Sequence, residues 1–156
     1  MGYVFDTSSF IVLGHYFPER FPSFWEKFDA AVSQGVVASV REVHRELSTH
    51  LARPHLADWV KKNRSIFSAP SSEEMAFVGQ IFAVAHFQYL VGEKERLKGT
   101  PVADPFVVAC ASVRSACVVT EEAKKENAAK IPNVCEHFGI TWTNLEGFMA
   151  LEGWEF

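Results

Sequence analysis

Four short apolar runs do most to limit how this chain can fold. They are rich in β-branched and aromatic residues and cover 3–5, 35–38, 116–119 and 140–142. They mostly lack alternation of apolar and polar residues, which is typical of strands buried on both faces of a parallel sheet. Amphipathic segments separate them, at 22–33, 40–50, 55–64, 72–98, 105–114 and 133–138. This order predicts an α/β fold, with helices flanking a parallel sheet.

Length and composition indicate one domain, 1–156. The chain has 156 residues, 48% of them hydrophobic and 22% charged, enough for one sizeable core and too few for two. No apolar run reaches the roughly 18 residues that a membrane span needs, and the N-terminus does not resemble a secretory signal. Cys110, Cys117 and Cys135 form no C-x-x-C pair. We therefore expect a cytoplasmic protein, with no membrane partner and with buried thiols.

The net charge of -4 argues against a nucleic-acid partner only until its distribution is considered. Residues 131–156 contain four glutamates and no Lys or Arg, so residues 1–130 balance at 15 acidic and 15 basic side chains. Cations bound to some of those acids would give this part a net positive field. A nucleic acid therefore stays a candidate partner, although a solvated helix face is the preferred explanation of each basic cluster taken alone.

Carboxylates stand where the predicted strands and loops lead into helices. Asp6 ends the first apolar run, Asp104 opens a very apolar helical segment, and Glu121 and Glu122 follow the third run. In parallel sheets of this kind, ligands bind beyond the carboxyl ends of the strands. We therefore expect these side chains to meet at one edge of the sheet.

Each of these acids also has an ordinary structural explanation. Asp6 and Asp104 suit the N-cap positions of helices, and the proline after Asp104 favours a helix start. An acid in the first turn of a helix contributes about 0.3–1 kcal/mol, which accounts for either Glu121 or Glu122. These roles do not exclude a second one.

The helix predicted after the second strand carries two more glutamates. Ser39 and Glu42 match a capping box, in which the serine and the glutamate each bond to the other's backbone amide. Glu46 lies one turn further along on almost the same face, and Val43 and Leu47 indicate that this face is close to the core. Glu46 is thus a candidate ligand, and an exposed helix glutamate is its alternative.

Carboxylates that lie close together need a proton or a cation to offset their repulsion. If Asp6, Glu46, Asp104 and Glu122 converge, their repulsion forces some of them to take up protons unless a cation is bound. Oxygen ligands suit hard cations such as Mg²⁺ or Mn²⁺, and the sequence has no His and Cys spacing typical of zinc sites. The pattern therefore predicts a Mg²⁺ or Mn²⁺ site.

Four segments in this order resemble the PIN domain family, the nuclease fold of VapC-type toxins. They are residues 4–8, 39–47, 103–111 and 118–122, and the stretch 130–144 is similar to one VapC-like subgroup. Each segment is a weak signal alone, whereas the ordered set is fairly specific. The resemblance implies a PIN-like three-layer fold, with a central parallel sheet of four or five strands between helices.

The resemblance also assigns the ligands. Asp6 matches the family's first acid, Glu46 the glutamate before a leucine, and Asp104 the acid that opens the buried helix. Glu122 matches the fourth acid, where many PIN domains have aspartate and where Glu121 is a competing carboxylate. The residues expected to support these ligands are Thr7, Thr120, Glu42 and Glu121.

The implied activity is Mg²⁺- or Mn²⁺-dependent cleavage of RNA by a cytoplasmic toxin of a type II toxin-antitoxin pair. Its expected partners are an RNA substrate, an antitoxin protein and a second copy of the chain in a homodimer. The basic residues predicted to contact the RNA backbone are Lys61, Lys62, Arg64, Lys94, Arg96 and Lys98.

Two alternatives fit parts of the pattern. A phosphoaspartyl phosphatase or receiver-type domain would also place Asp6 at the end of the first strand, as nucleophile or phosphoacceptor. Ser8 stands where the phosphatase version needs a second aspartate. A noncatalytic PIN-like module that binds RNA or protein would keep the fold without the activity.

Overall fold

A five-stranded parallel sheet forms the centre of the protein. The computed structural model describes residues 2–50, 53–91 and 102–156. Within these residues the strand order is β3-β2-β1-β4-β5, and every neighbouring pair is parallel. The strands are β1 (Tyr3–Phe5), β2 (Val37–Val40), β3 (Phe67–Ser68), β4 (Cys117–Val119) and β5 (Trp142–Thr143). The predicted α/β fold with a parallel sheet is confirmed.

Helices connect the strands. In the described part of the chain they are α1 (Thr7–Leu13), α2 (Pro22–Ser33), α3 (Arg41–His50), α4 (Pro54–Lys62), α5 (Ser72–Ala83), α6 (Asp104–Arg114), α7 (Ile131–Phe138) and α8 (Leu145–Leu151). Two short 3₁₀ helices cover Arg64–Ile66 and Ala85–Leu90. A proline in the first turn starts α2, α4, α6 and α7. The described helices are all too short or too polar to cross a bilayer.

Some predicted boundaries were wrong. The second run predicts a strand over 35–38, whereas β2 starts at Val37 and extends through Val40, because Gly35 adopts φ +74° in the turn after α2. The helical segment predicted over 72–98 ends at Ala83, where Val84 becomes extended, and its part from 92 onward lies outside the described residues. The fourth run, 140–142, gives a strand at Trp142–Thr143.

The predicted capping box does not form. Ser39 lies inside β2, and its Oγ donates a hydrogen bond of 2.7 Å to the carbonyl oxygen of Phe5 on β1. Glu42 is buried; its Oε1 accepts a hydrogen bond from Arg41 Nη2 at 3.0 Å, and its Oε2 has no partner within the described structure. The motif fails because the strand continues past Ser39 and the helix begins only at Arg41.

An aromatic core holds β1 in place. Phe5 is fully buried, and its ring centroid lies 5.1–5.7 Å from those of Phe10, Phe28 and Phe148. These rings come from α1, α2 and α8, so β1 packs against three helices at once. Burying one phenylalanine side chain stabilises a fold by roughly 1.5–3 kcal/mol. The position of Asp6, the next residue, is therefore set by this packing.

The three cysteines are buried free thiols, as predicted. Burial raises the pKa of Cys110 and Cys135 to about 12 and raises that of Cys117 as well. All three therefore stay protonated at neutral pH and behave as small apolar side chains.

Candidate metal centre

The topology creates a crevice at the carboxyl end of β1. This strand lies between β2 and β4, so the chain leaves it on one side and later returns on the other. Ligands of parallel sheets bind at such points. Asp6 follows β1, Thr120 follows β4, and α3 carries Glu46 directly after β2. Helix α6, which begins with Asp104, packs against β1, β2 and β4. Four elements thus deliver side chains to one edge.

Hydroxyl groups surround Asp6. Its Oδ1 accepts a hydrogen bond of 2.9 Å from the Ser9 amide, so the predicted N-cap of α1 is confirmed. Ser8 Oγ lies 2.8 and 2.9 Å from the two carboxylate oxygens, and Thr120 Oγ1 donates to Oδ2 at 2.5 Å. Burial raises the pKa of Asp6, and these hydrogen bonds oppose the rise. Together they hold the carboxylate in one orientation.

Asp104 does not cap its helix, contrary to the prediction. It is the first residue of α6, and the preceding Ala103 already has a helical backbone with φ -71° and ψ -32°. Its side chain makes no capping hydrogen bond to the helix amides. Because the helix begins one residue earlier than a capping aspartate requires, the carboxylate of Asp104 is left for other contacts.

The four predicted ligands interact electrostatically at Asp104. The pKa of Asp104 is raised well above its usual value, first by burial and then by the negative charges of Glu122, Asp6 and Glu46. Lys130 lowers it and is the nearby positive charge that opposes these effects. The structure therefore brings together acids that are up to 116 positions apart in the sequence, counting from 6 to 122.

Glu46 and Glu42, both on α3, make different contacts. Glu46 is half-buried on α3, and its Oε1 accepts a hydrogen bond of 3.3 Å from Thr7 Oγ1 at the start of α1. Glu42 lies one turn earlier, fully buried beside Arg41. Glu46 is the glutamate of α3 whose charge acts on Asp104.

Glu121 and Glu122 are separated by their contacts. Glu122 is half-buried and accepts a 2.9 Å hydrogen bond from the Ile131 amide, the first of α7. Burial raises its pKa, the Ile131 amide lowers it, and Asp6 raises it further. Glu121 is exposed, and its Oε1 accepts a 2.8 Å bond from the Leu145 amide at the start of α8. Glu122 is therefore the member of the pair that lies with the other acids.

The donor set fits a hard divalent cation. All four side chains offer carboxylate oxygens, the preferred ligands of Mg²⁺ and Mn²⁺. Three like charges act on one partly buried carboxyl group, which a cation would relieve. In the part of the chain that the structure describes, no group of three His, Cys, Asp or Glu side chains is already arranged as a metal site. Some rearrangement of the long, half-buried Glu46 and Glu122 side chains is therefore needed for all four acids to bind one cation.

The predicted RNA-contacting residues are only partly described. Lys61 and Lys62 are exposed in the last turn of α4, and Arg64 is exposed in the 3₁₀ helix that follows. The other three, Lys94, Arg96 and Lys98, lie outside the described residues.

Sequence reasoning missed three residues at the site. Ser8 and Ser9 bind Asp6, and the hydroxyl run after Asp6 was the available signal for them. Lys130 acts on both Asp104 and Glu122. It belongs to a basic cluster visible in the sequence, but its proximity to the acids depends on the path of the chain between β4 and α7.

The sheet order and flanking helices define a PIN-like three-layer α/β fold, as predicted. Two solved structures are similar to it. The crystal structure of VapBC2 from Rickettsia felis bound to a DNA fragment from their promoter matches with a TM-score of 0.51 and 12% identity, over 92% of this chain and 98% of that one. The crystal structure of PAE2754 from Pyrobaculum aerophilum matches with a TM-score of 0.43 and 17% identity, over 89% and 96%. At these identities the likeness concerns the fold alone.

By sequence, the chain belongs to the family described as Domain of unknown function (DUF4411), which it matches over residues 3–156. No curated protein matches the chain significantly.

Proposed function

We propose that the protein is a Mg²⁺- or Mn²⁺-dependent endoribonuclease and the toxin of a toxin-antitoxin pair. One observation carries this proposal: the charges of Asp6, Glu46 and Glu122 all act on Asp104 at the carboxyl edge of the sheet. Buried like charges are costly unless they bind something positive. The PIN-like fold supports the same conclusion, because it is the fold of VapC-type toxins.

Asp6, Glu46, Asp104 and Glu122 would hold the cation. When bound, a divalent cation supplies Lewis-acid chemistry: it lowers the pKa of water and neutralises charge on a phosphoryl group. The chain itself supplies the geometry. Thr120 fixes the orientation of Asp6.

Thr7 and Lys130 have supporting roles in this proposal. Thr7 holds the Glu46 carboxylate against the start of α1. Lys130 is exposed and its positive charge acts on Asp104 and Glu122, which supports a role for its ammonium group in binding a backbone phosphate of the RNA. Lys61, Lys62 and Arg64 remain predicted contacts to the RNA backbone. They are further from Asp104 and Glu122 in the sequence than Lys130 is.

An antitoxin protein and a second copy of this chain are the proposed protein partners. The Rickettsia felis structure contains VapBC2 bound to a promoter DNA fragment. This chain resembles that structure in fold. Large apolar side chains are exposed on this chain and suit such contacts. They include Ile11, Phe17, Phe21, Leu151 and Phe156.

The phosphoaspartyl alternative is less well supported. The phosphatase version needs a second aspartate two residues after the nucleophile, and Ser8 stands there. The Ser8 hydroxyl lies 2.8 and 2.9 Å from the two carboxylate oxygens of Asp6. Covalent phosphate on Asp6 would reverse this preference.

The test is RNA cleavage by purified protein free of antitoxin, with Mg²⁺, with Mn²⁺ and with a chelator. Asp6→Asn and Asp104→Asn should each reduce metal-dependent cleavage by more than about 100-fold, since even residues behind metal ligands contribute 10–100-fold. Asp58→Asn is the matched control, because Asp58 is an exposed aspartate on α4.

Two results would contradict the proposed function. One is a mixed RNA pool left intact by the wild-type protein with either metal, which favours the noncatalytic module. The other is full cleavage by Asp6→Asn and Asp104→Asn proteins whose circular dichroism matches the wild type.

A further inference from the structure

The segment that joins β4 to α7 carries three exposed lysines and is not helical. Residues 123–130 read Ala-Lys-Lys-Glu-Asn-Ala-Ala-Lys, with three positive charges and one negative charge. This range contains a turn but no helix or strand, and Lys124, Lys125 and Lys130 are all exposed. A solvated helix face therefore does not explain this basic cluster.

Hydrogen bonds close residues 123–130 into a loop beside the acids. Glu122, the residue before the loop, accepts a hydrogen bond of 2.9 Å from the amide of Ile131, the residue after it. On α7, Asn133 Nδ2 donates a hydrogen bond of 2.7 Å to the carbonyl oxygen of Lys125 within the loop. The 123–130 loop thus begins and ends at Glu122, a candidate ligand of the cation.

This closure brings two lysines close to the candidate metal centre. Lys130 directly precedes the amide that binds the Glu122 carboxylate, so its backbone lies next to that carboxylate. Lys125 follows Glu122 by three residues, so their Cα atoms are no more than about 11 Å apart. The positive charge of Lys130 lowers the pKa of both Asp104 and Glu122, which agrees with this position.

The three lysines differ in their ionic contacts. Lys124 Nζ forms a salt bridge of 2.5 Å with Glu136 Oε2 on α7. Within the residues that the structure describes, neither Lys125 nor Lys130 forms a salt bridge. Both are exposed, so their ammonium groups are available to an anionic ligand.

The composition of the 123–130 loop favours a phosphate backbone over a protein as its ligand. The loop has no large apolar side chain, whereas protein interfaces depend on buried aromatic or aliphatic anchors. Lysines bind the backbone phosphates of nucleic acids without reading the bases. Two such lysines beside a centre that cuts a phosphodiester bond would hold the strand near that bond.

We propose that the 123–130 loop is a phosphate-binding surface for single-stranded RNA, in which Lys125 and Lys130 bind backbone phosphates beside the bond that is cut. The identity of the strand as RNA rests on the proposed function. Binding itself needs neither metal nor cleavage, so it can be measured separately.

The experiment measures the binding of a fluorescent single-stranded RNA to the full-length protein in a chelator, by anisotropy, over a series of salt concentrations. Lys125→Gln and Lys130→Gln should each reduce the slope of log K against log salt by about 0.7, the value for one phosphate contact with a single strand. The double variant should reduce it by about 1.4.

Lys27→Gln is the matched control. It removes the same charge from an exposed lysine of α2, whose Nζ lies 5.4 Å from the centroid of the Phe156 ring. The slope should not change in this variant, because Lys27 is not part of the 123–130 loop.

No binding of RNA at low salt, an unchanged slope for the double variant, or an equal fall in slope for Lys27→Gln would overturn this inference. The proposed function fails in a different way. A protein that cuts no RNA but shows the expected loss of slope refutes the nuclease and leaves the phosphate-binding surface standing. Metal-dependent cleavage with unchanged slopes refutes the phosphate-binding surface alone.

Discussion

Phe5 and Asp6 are neighbours in the chain, yet they belong to two regions with opposite energetics. Phe5 is buried among aromatic rings from three helices, an arrangement that stabilises the fold by removing apolar surface from water. Asp6 is almost as buried, with 3% of its surface exposed, but its neighbours are hydroxyls and other acids. The first region supplies stability, and the second uses some of it to keep like charges together.

Removing the Phe5 ring from the aromatic core should have the largest effect on the free energy of unfolding. Phe5→Ala leaves a cavity between β1 and three helices, and we expect it to lower the free energy of unfolding by about 3–5 kcal/mol. Chemical denaturation measures this. Phe156→Ala is the control: Phe156 is 66% exposed, so its removal should cost less than about 1 kcal/mol. Similar losses for both variants would contradict the proposed core.

A divalent cation should stabilise the folded protein by binding the acids around Asp6 and Asp104. At a concentration 100 times its dissociation constant, Mn²⁺ should add about 2.7 kcal/mol to the free energy of unfolding. The metal-free pKa of Asp104 is raised above its unfolded value, so its contribution favours folding at low pH and is lost as pH rises through the folded pKa. The thermal shift caused by Mn²⁺ should therefore be larger at about pH 8 than at about pH 5.

An equal shift at both pH values would argue against a carboxylate site. Asp104→Asn should abolish most of the shift, whereas Asp58→Asn, on the exposed face of α4, should retain it.

Loss of the Thr120 hydroxyl should weaken the network around Asp6. Thr120→Val removes a donor to a buried carboxylate, and we expect a loss of about 1–3 kcal/mol in the metal-free protein at neutral pH. Thr141→Val changes an exposed threonine before β5 and should be nearly neutral. If the two variants have the same stability, Thr120 does not hold Asp6 in the way its contact suggests.

The smallest expected effect has the opposite sign. Asp104→Asn removes one of the repelling charges, so the metal-free variant should be more stable than the wild type by about 1 kcal/mol at neutral pH. The same variant should be inactive. Thermal unfolding in a chelator measures the first effect, and destabilisation by this change would mean that Asp104 has a structural partner.

Strands β1, β2 and β4 were predictable because they are short, largely apolar and largely buried, and each leaves a local pattern. Asp6 and Asp104 were recognisable as candidates for the same local reason: each stands beside an element boundary. The sequence around Glu121 and Glu122 does not show which of the two lies with the other acids. That choice depends on the amides of Ile131 and Leu145, which lie 9 and 24 positions away.

The errors have a similar origin. Ser39 and Glu42 match a capping box in sequence, but Ser39 and Val40 pair with β3, which extends β2 beyond Ser39. β3 is only two residues long, too short to show any periodicity.

The Glu122 side chain has two roles: it accepts a hydrogen bond from the first amide of α7, and it is a candidate ligand of the cation. Its Oε2 serves the helix, and its other oxygen remains available to a cation. An aspartate, shorter by one methylene, would reach less far towards the helix amide. A cation that draws the Glu122 carboxylate away from this amide would loosen the first turn of α7. We therefore expect metal binding to speed hydrogen exchange at the Ile131 amide, so that the start of α7 reports whether the cation is bound.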